Sequence, residues 1–239
     1  MGRRLLLILG LALLATACGG GTTLLSGQEV LSAIPWSGPE TARYRLLQGK
    51  DLKGHGELRL ELQGDVLSLA QTFEFPDQKL TDDVSALVDP ATLRPTRVER
   101  TISGPEGERH CRADYAAGTA VVEQKAKKET RTDRLGVPPR SYDSWSDLFL
   151  WRTISFSESF QVTYADVLSC TLTKPQVLSV ALRVKGRETV SVPAGTFEAW
   201  RLEIRSGGRT QKAWYADDAA RTLVRYDNED LVFELESRE

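Results

Sequence analysis

Glu57-Leu58-Arg59-Leu60-Glu61-Leu62-Gln63-Gly64-Asp65 carries the pattern from which the architecture follows. Leucine alternates with a charged residue through Leu62, the period of a strand that buries one face and wets the other. Gln63-Gly64-Asp65 then supplies a turn in which glycine can take a positive φ, and residues 66–72 read as the returning strand of a hairpin.

The same period recurs along the chain. Phe156, Phe160, Val162 and Tyr164 share one parity, with serines, Gln161 and Thr163 between them. Leu178, Val180, Leu182 and Val184 repeat it, and Trp200, Leu202 and Ile204 alternate with Arg201, Glu203 and Arg205. Ser206-Gly207-Gly208-Arg209 closes another hairpin that returns through Ala213-Trp214-Tyr215, and residues 223–227 and 231–235 form the last pair. From Thr41 onward the chain therefore predicts roughly ten antiparallel strands, near the size at which a sheet must curl, close or split. The 239 residues, 41% hydrophobic and 27% charged, exclude collagen, coiled coil and wholesale disorder.

Residues 142–152, Tyr-Asp-Ser-Trp-Ser-Asp-Leu-Phe-Leu-Trp-Arg, break the alternation. Asp143 or Ser144 can cap a helix there, with Asp147 near the positive end of its dipole. Trp145, Leu148 and Phe149 fall on one side, with Trp151 beside them. Such a helix either lines a cavity inside a curved sheet or plugs it, and an aromatic stripe at this spacing favours the plug. Residues 29–34 are a candidate for a second, very short helix.

The amino terminus carries an address. Arg3 and Arg4 precede an apolar run that ends in Ala15-Thr16-Ala17-Cys18. The run is too short to span a hydrocarbon core as a helix and has the form of a signal peptide over residues 1–17 ending in a lipobox, which resembles the bacterial lipoprotein class. Cys18 is then the lipidated residue, residues 18–40 are a flexible tether beginning Gly19-Gly20-Gly21, and residues 41–239 are the β domain. The expected location is the cell envelope, on the extracytoplasmic side of a bacterial membrane. Cleavage leaves 29 basic against 33 acidic groups, a net charge near −4, which provides no footprint for nucleic acid and no electrostatic grip on anionic lipid. For an exported chain, a disulfide between Cys111 and Cys170 is the natural reading, and two separately buried thiols are the alternative.

A family resemblance rests on Val192-Pro193-Ala194-Gly195-Thr196-Phe197-Glu198-Ala199-Trp200 followed by Ala213-Trp214-Tyr215-Ala216-Asp217-Asp218-Ala219. This pattern resembles the C-terminal signature of a bacterial domain-of-unknown-function family, number 3108. Val88-Asp89-Pro90-Ala91-Thr92-Leu93-Arg94-Pro95-Thr96 and Tyr142-Asp143 sit where similar elements of that family are expected, so the resemblance spans Thr41 to the end. It implies an extracytoplasmic protein similar in outline to lipoprotein carriers of the LolA and LolB kind. The implied fold is mainly β: a single strongly curved antiparallel sheet, an open half-barrel or clam, that wraps one short helix and holds acyl chains. No catalytic residues are assigned to that family, so none carries over. In a carrier, Trp145, Phe149 and Trp151 would touch the ligand, and Phe160, Val162, Tyr164, Trp200 and Leu202 would form the wall. The signature itself needs no chemistry: Pro193 fixes φ after a strand, Gly195 permits a tight turn and Thr196-Phe197 restarts extended structure. Of Trp214 and Tyr215, which face opposite ways, one is expected in the core and the other half-exposed.

Other chemistry is sparse. His55, in an expected turn, and His110 have no second ligand at metal-site spacing, and no nucleophile elbow or phosphate-binding glycine loop is present. Asp82-Asp83 and Asp217-Asp218 read as solvated turns, and Lys125, Lys127, Lys128, Arg131 and Arg134, interleaved with acids, as an exposed salt-laced hairpin. The expectation is no enzyme, no cofactor and no metal. Two functions lead: a lipid-anchored protein that binds a lipid or other apolar ligand in its curved sheet, or an envelope interaction or assembly module with a filled core and an envelope protein as partner. A hydrolase with carboxylate or serine chemistry is the third reading, disfavoured by the lack of a recognisable nucleophile arrangement.

Overall fold

The computed structural model describes residues 30–239. The expected signal peptide over 1–17, the lipidation site Cys18 and most of the tether lie outside them. Among the described residues fifteen strands form one sheet, rather than the roughly ten read from the sequence. They are β1 (Glu40–Gln48), β2 (Asp51–Gln63), β3 (Val66–Phe75), β4 (Leu80–Val88), β5 (Pro95–Gly104), β6 (Gly107–Ala116), β7 (Thr119–Ala126), β8 (Glu129–Gly136), β9 (Tyr142–Asp143), β10 (Gln161–Leu168), β11 (Gln176–Val192), β12 (Gly195–Ser206), β13 (Arg209–Ala216), β14 (Leu223–Asp227) and β15 (Val232–Arg238).

Residues 144–153 form two 3₁₀ turns flanking the short helix α1 (Asp147–Leu150), called the plug below. The periodicity read across 156–164 overreaches at its start, because Phe156 and Phe160 precede β10. His55 and the Asp82-Asp83 pair lie inside β2 and β4, not in turns, and residues 30–34 are not helical.

The hairpin around Gln63-Gly64-Asp65 is β2–β3, with Gln63 opposite Val66 and Leu60 opposite Leu69. Leu58, Leu60, Leu67 and Leu69 enter the core, whereas Leu62 stays 61% exposed at the strand's end. Every sequential pair from β1 to β8 and from β10 to β15 is antiparallel. β1 pairs with β15, joining the two halves of the meander, and among the described residues the only parallel pair is β9 with β10. β8 and β9 remain the two ends, so the sheet curls around the plug without closing.

Polar and covalent contacts bridge the open seam instead. Cys111 of β6 is bonded to Cys170, in the loop after β10, with Cα atoms 5.6 Å apart. Arg100 of β5, held by Asp82 at 2.6 Å, donates to the Cys170 carbonyl at 2.8 Å and stacks over Trp145. Gln124 of β7 donates to the Thr171 carbonyl at 2.6 Å, and Gln71 of β3 to that of Trp145 at 2.5 Å. Asp82 is thus an inward clamp.

β11 is long because it bends. A bulge at Gly186, whose φ of 118° suits only glycine without strain, reverses the parity of the residues beyond it. Val190 then joins Ala199, Trp214, Ala216 and Val224 in a second, outer apolar cluster. The hairpin tip at Pro193-Ala194 reaches β15, where the Ala194 amide donates to the Leu235 carbonyl at 3.0 Å. Tyr215 is fully buried in the main core, and Trp214, expected to be half-exposed if its neighbour was core, is buried in this outer cluster with its indole N–H donating to Glu188.

Candidate functional site

The concave face and its plug are where the sequence places a binding site. Asp143 starts the plug: its Oδ1 accepts from the Trp145 amide at 3.0 Å while its main-chain carbonyl accepts from Ser146 Oγ at 2.7 Å. The other end is fastened by Arg152, which donates to Glu40 at 2.7 Å and to the Ala220 and Arg221 carbonyls at 2.7 and 3.1 Å. Arg221 returns the contact, donating to the carbonyls of Arg152 and Ile154. The incoming chain docks there too: the Ser32 and Ala33 amides donate to the Thr153 carbonyl at 2.9 and 3.0 Å, and Val30 is buried.

The structure gathers all eight sequence-predicted ligand contacts around one interior cluster. Phe149, Trp151, Val162, Tyr164, Trp200 and Leu202 are buried, and Trp145 and Phe160 are partly buried against the same cluster. They meet as packed core. Trp151 Nε1 donates to Tyr164 Oη at 2.9 Å, Tyr164 Oη donates to Asp147 at 2.8 Å and Trp200 Nε1 donates to Asp217 at 2.7 Å, so three of the four polar aromatic side chains in the set are paired within the chain; the buried Trp145 indole N–H has no partner. Beside Phe149, Tyr44, Leu58 and Leu223 lies a cavity of about 20 Å³, room for about one water. Acyl-chain and drug-sized sites run to hundreds of cubic ångströms.

The sequence reading missed a buried acidic cluster. Asp143, Asp147 and Asp166, on β9, the plug and β10, are all under 8% exposed. Tyr115 Oη of β6 donates across the seam to Asp143. Burial pushes the Asp143 carboxyl up to about 6, although the bonds from Tyr115 and the Trp145 amide pull the other way. Burial, with the neighbouring carboxylates, holds Asp147 and Asp166 well above the usual carboxylate range. One oxygen of Asp166 has no hydrogen-bond partner. The signal available in the sequence was Asp143-x-x-x-Asp147 inside an apolar run, which reads equally well as helix capping. Among the described residues no group of histidine, cysteine and carboxylate side chains is arranged to hold a metal ion, and no helix is long and apolar enough to cross a membrane.

A solved structure of another protein shares this architecture. A β-barrel-like protein of the domain of unknown function DUF1849 from Brucella abortus superposes with a TM-score of 0.58 at 10% identity, over 87% of this chain and 98% of that one. A Bacteroides fragilis protein with a YmcC-like fold matches over 87% of this chain and 99% of that one at 11% identity, but its TM-score of 0.35 is too low to support a comparison. No curated protein matches the sequence. The model of the protein family of unknown function DUF3108 matches residues 42–233, nearly the whole of the β domain, and the chain belongs to that family.

Proposed function

We propose that this is a lipid-anchored, extracytoplasmic interaction module of the bacterial envelope, without enzymatic activity, that works through its outer surface. The observation that carries the reading is the filled interior: the plug occupies the space in which a carrier would hold its cargo, and about 20 Å³ remains beside it. A carrier built on this sheet requires the plug to leave, breaking the Arg152 and Asp143 attachments together. The non-enzymatic reading is supported by the acidic cluster, whose formed bonds go to the plug backbone and to tyrosines inside the core. Anchoring through Cys18 is supported by the lipobox alone.

The test is native mass spectrometry of residues 19–239, exported behind a cleavable secretory signal, followed by solvent extraction and an apolar-dye titration. An empty protein that takes up no dye supports the interaction module. A lipid of defined mass in stoichiometric amount makes it a carrier.

A further inference from the structure

The two ends of the sheet are built differently. β8 turns Arg131 and Asp133 toward the same side as Leu135 and the core residue Val122, with an ion pair of 2.7 Å between them. The exposed Lys127 and Lys128 precede it. Inward charge and flanking lysines are devices that keep an edge strand from accepting another strand.

At the other end the inward carboxylates Asp143 and Asp166 lie where β9 covers β10, and among the described residues the stretch before them has no such guard. β9 covers β10 only at Asp166 and Val167, so among the described residues 161–165 are strand-paired on the β11 side alone. Gln161-Val162-Thr163-Tyr164-Ala165 has no charge, proline or glycine. Val162 and Tyr164 are buried inward, leaving Gln161, Thr163 and Ala165 toward the outer face. Beside them an open trough of about 370 Å³ is lined by Gln161, Thr163, Ala181, Arg183, Glu203 and Arg205. Arg183 and Arg205 share one oxygen of Glu203, at 2.5 and 3.0 Å. The outer face around it adds Lys185, Arg201 and Lys212 against Glu188 and Asp227, so cations prevail here on a chain whose net charge is −2.

We propose that the free edge at residues 161–165 and the adjoining basic trough dock an extended acidic segment of a partner protein as an added strand. The proposal deepens the interaction-module reading and rests on it. A partner strand satisfies the outward main-chain groups of β10, and its acidic side chains compete for the guanidinium groups now shared by Glu203. An anionic lipid surface matches the charge but has no use for an unpaired strand edge.

Hydrogen exchange on residues 19–239 tests this with two end-capped peptides of about eight residues, one alternating glutamate with valine, the other lysine with valine. The glutamate peptide is expected to slow exchange in 161–165, to lose affinity with added salt, and to weaken at least about tenfold on Thr163→Glu or Arg205→Glu. Both positions lie on the surface, so unchanged melting temperatures verify the fold. Equal protection by the lysine peptide, protection in 129–136 instead, or binding to phosphatidylglycerol vesicles without peptide protection of 161–165 overturns the edge assignment. Each of these leaves the module reading standing if the protein is empty; a stoichiometric lipid inside overturns both.

Discussion

Asp143 is where local sequence and long-range structure meet, since one carboxylate caps the plug and accepts a phenol from the far side of the seam. Its folded pKa of about 6 lies above the unfolded value near 3.9, so in that window the folded state holds a proton that the unfolded state has released. The stabilisation is therefore complete below about pH 4 and lost as pH rises through about 6, with Asp147 and Asp166 extending the loss upward. Carboxyls held low by partners, such as Asp114 beside Arg112 and Asp230 beside Arg209, act in the opposite sense and at more acid pH. Urea unfolding between about pH 4.5 and 7.5 should show a falling midpoint, and Asp143→Asn should flatten it by up to about 1.4 kcal/mol per pH unit. Tyr115→Phe removes a donor from a buried carboxylate and is expected to cost about 1–3 kcal/mol, read from the same denaturation curves. The capping role was legible because capping is local. The cluster was not, because Tyr115 and Asp166 are brought to Asp143 only by the curl of the sheet.

Among the elements, the plug and its fastenings carry the stability of the interior. Phe149→Asp places an unpaired charge among Tyr44, Leu58 and Leu223, and the expected outcome is loss of the cooperative fold by circular dichroism and calorimetry. A folded Phe149→Asp protein contradicts the assignment of this residue to the core. Arg152→Ala removes the cation that binds Glu40 and two carbonyls, an expected loss of about 3 kcal/mol. The Cys111–Cys170 bond closes a separation of 59 residues, and the double serine variant should lose about 4 kcal/mol in the chain-entropy model. Alkylation of the denatured, unreduced protein should find neither of these thiols free. The break in period at 142–152 located the plug, since helical spacing shows against a background of alternation. Its true extent, a single α turn between 3₁₀ turns, is set by the sheet around it and leaves no mark on the pattern.

For the whole molecule, alternation identified the strands it could reach, and those it missed fail for identifiable reasons. Asp82 of β4 and Arg100 of β5 put charge on the inner face, where they pair with each other and Arg100 reaches across the seam, while Arg97 of β5 and Asp114 of β6 pair on the outer face, so apolar and charged residues do not alternate cleanly here. The family signature at 192–200 and 213–219 proves to be the β11–β12 turn, the first half of β12 and the end of β13, which supply Ala199, Trp214 and Ala216 to the outer cluster, a packing device. The candidate ligand residues were found as a set, because apolar parity marks one face of a strand whether that face meets cargo or a plug. Only packing separates the two, and here Trp151, Tyr164 and Asp147 complete one another's hydrogen bonds.

The plug is core and not a lid, and hydrogen exchange of its backbone is the decisive measurement. If the claim holds, amides in 144–153 exchange only through global unfolding, with the same free energy as the most protected strand amides and no response to apolar ligand. Exchange through a separate opening several kcal/mol cheaper, accelerated by a lipid or apolar dye, would contradict it and make the interior a gated binding cavity.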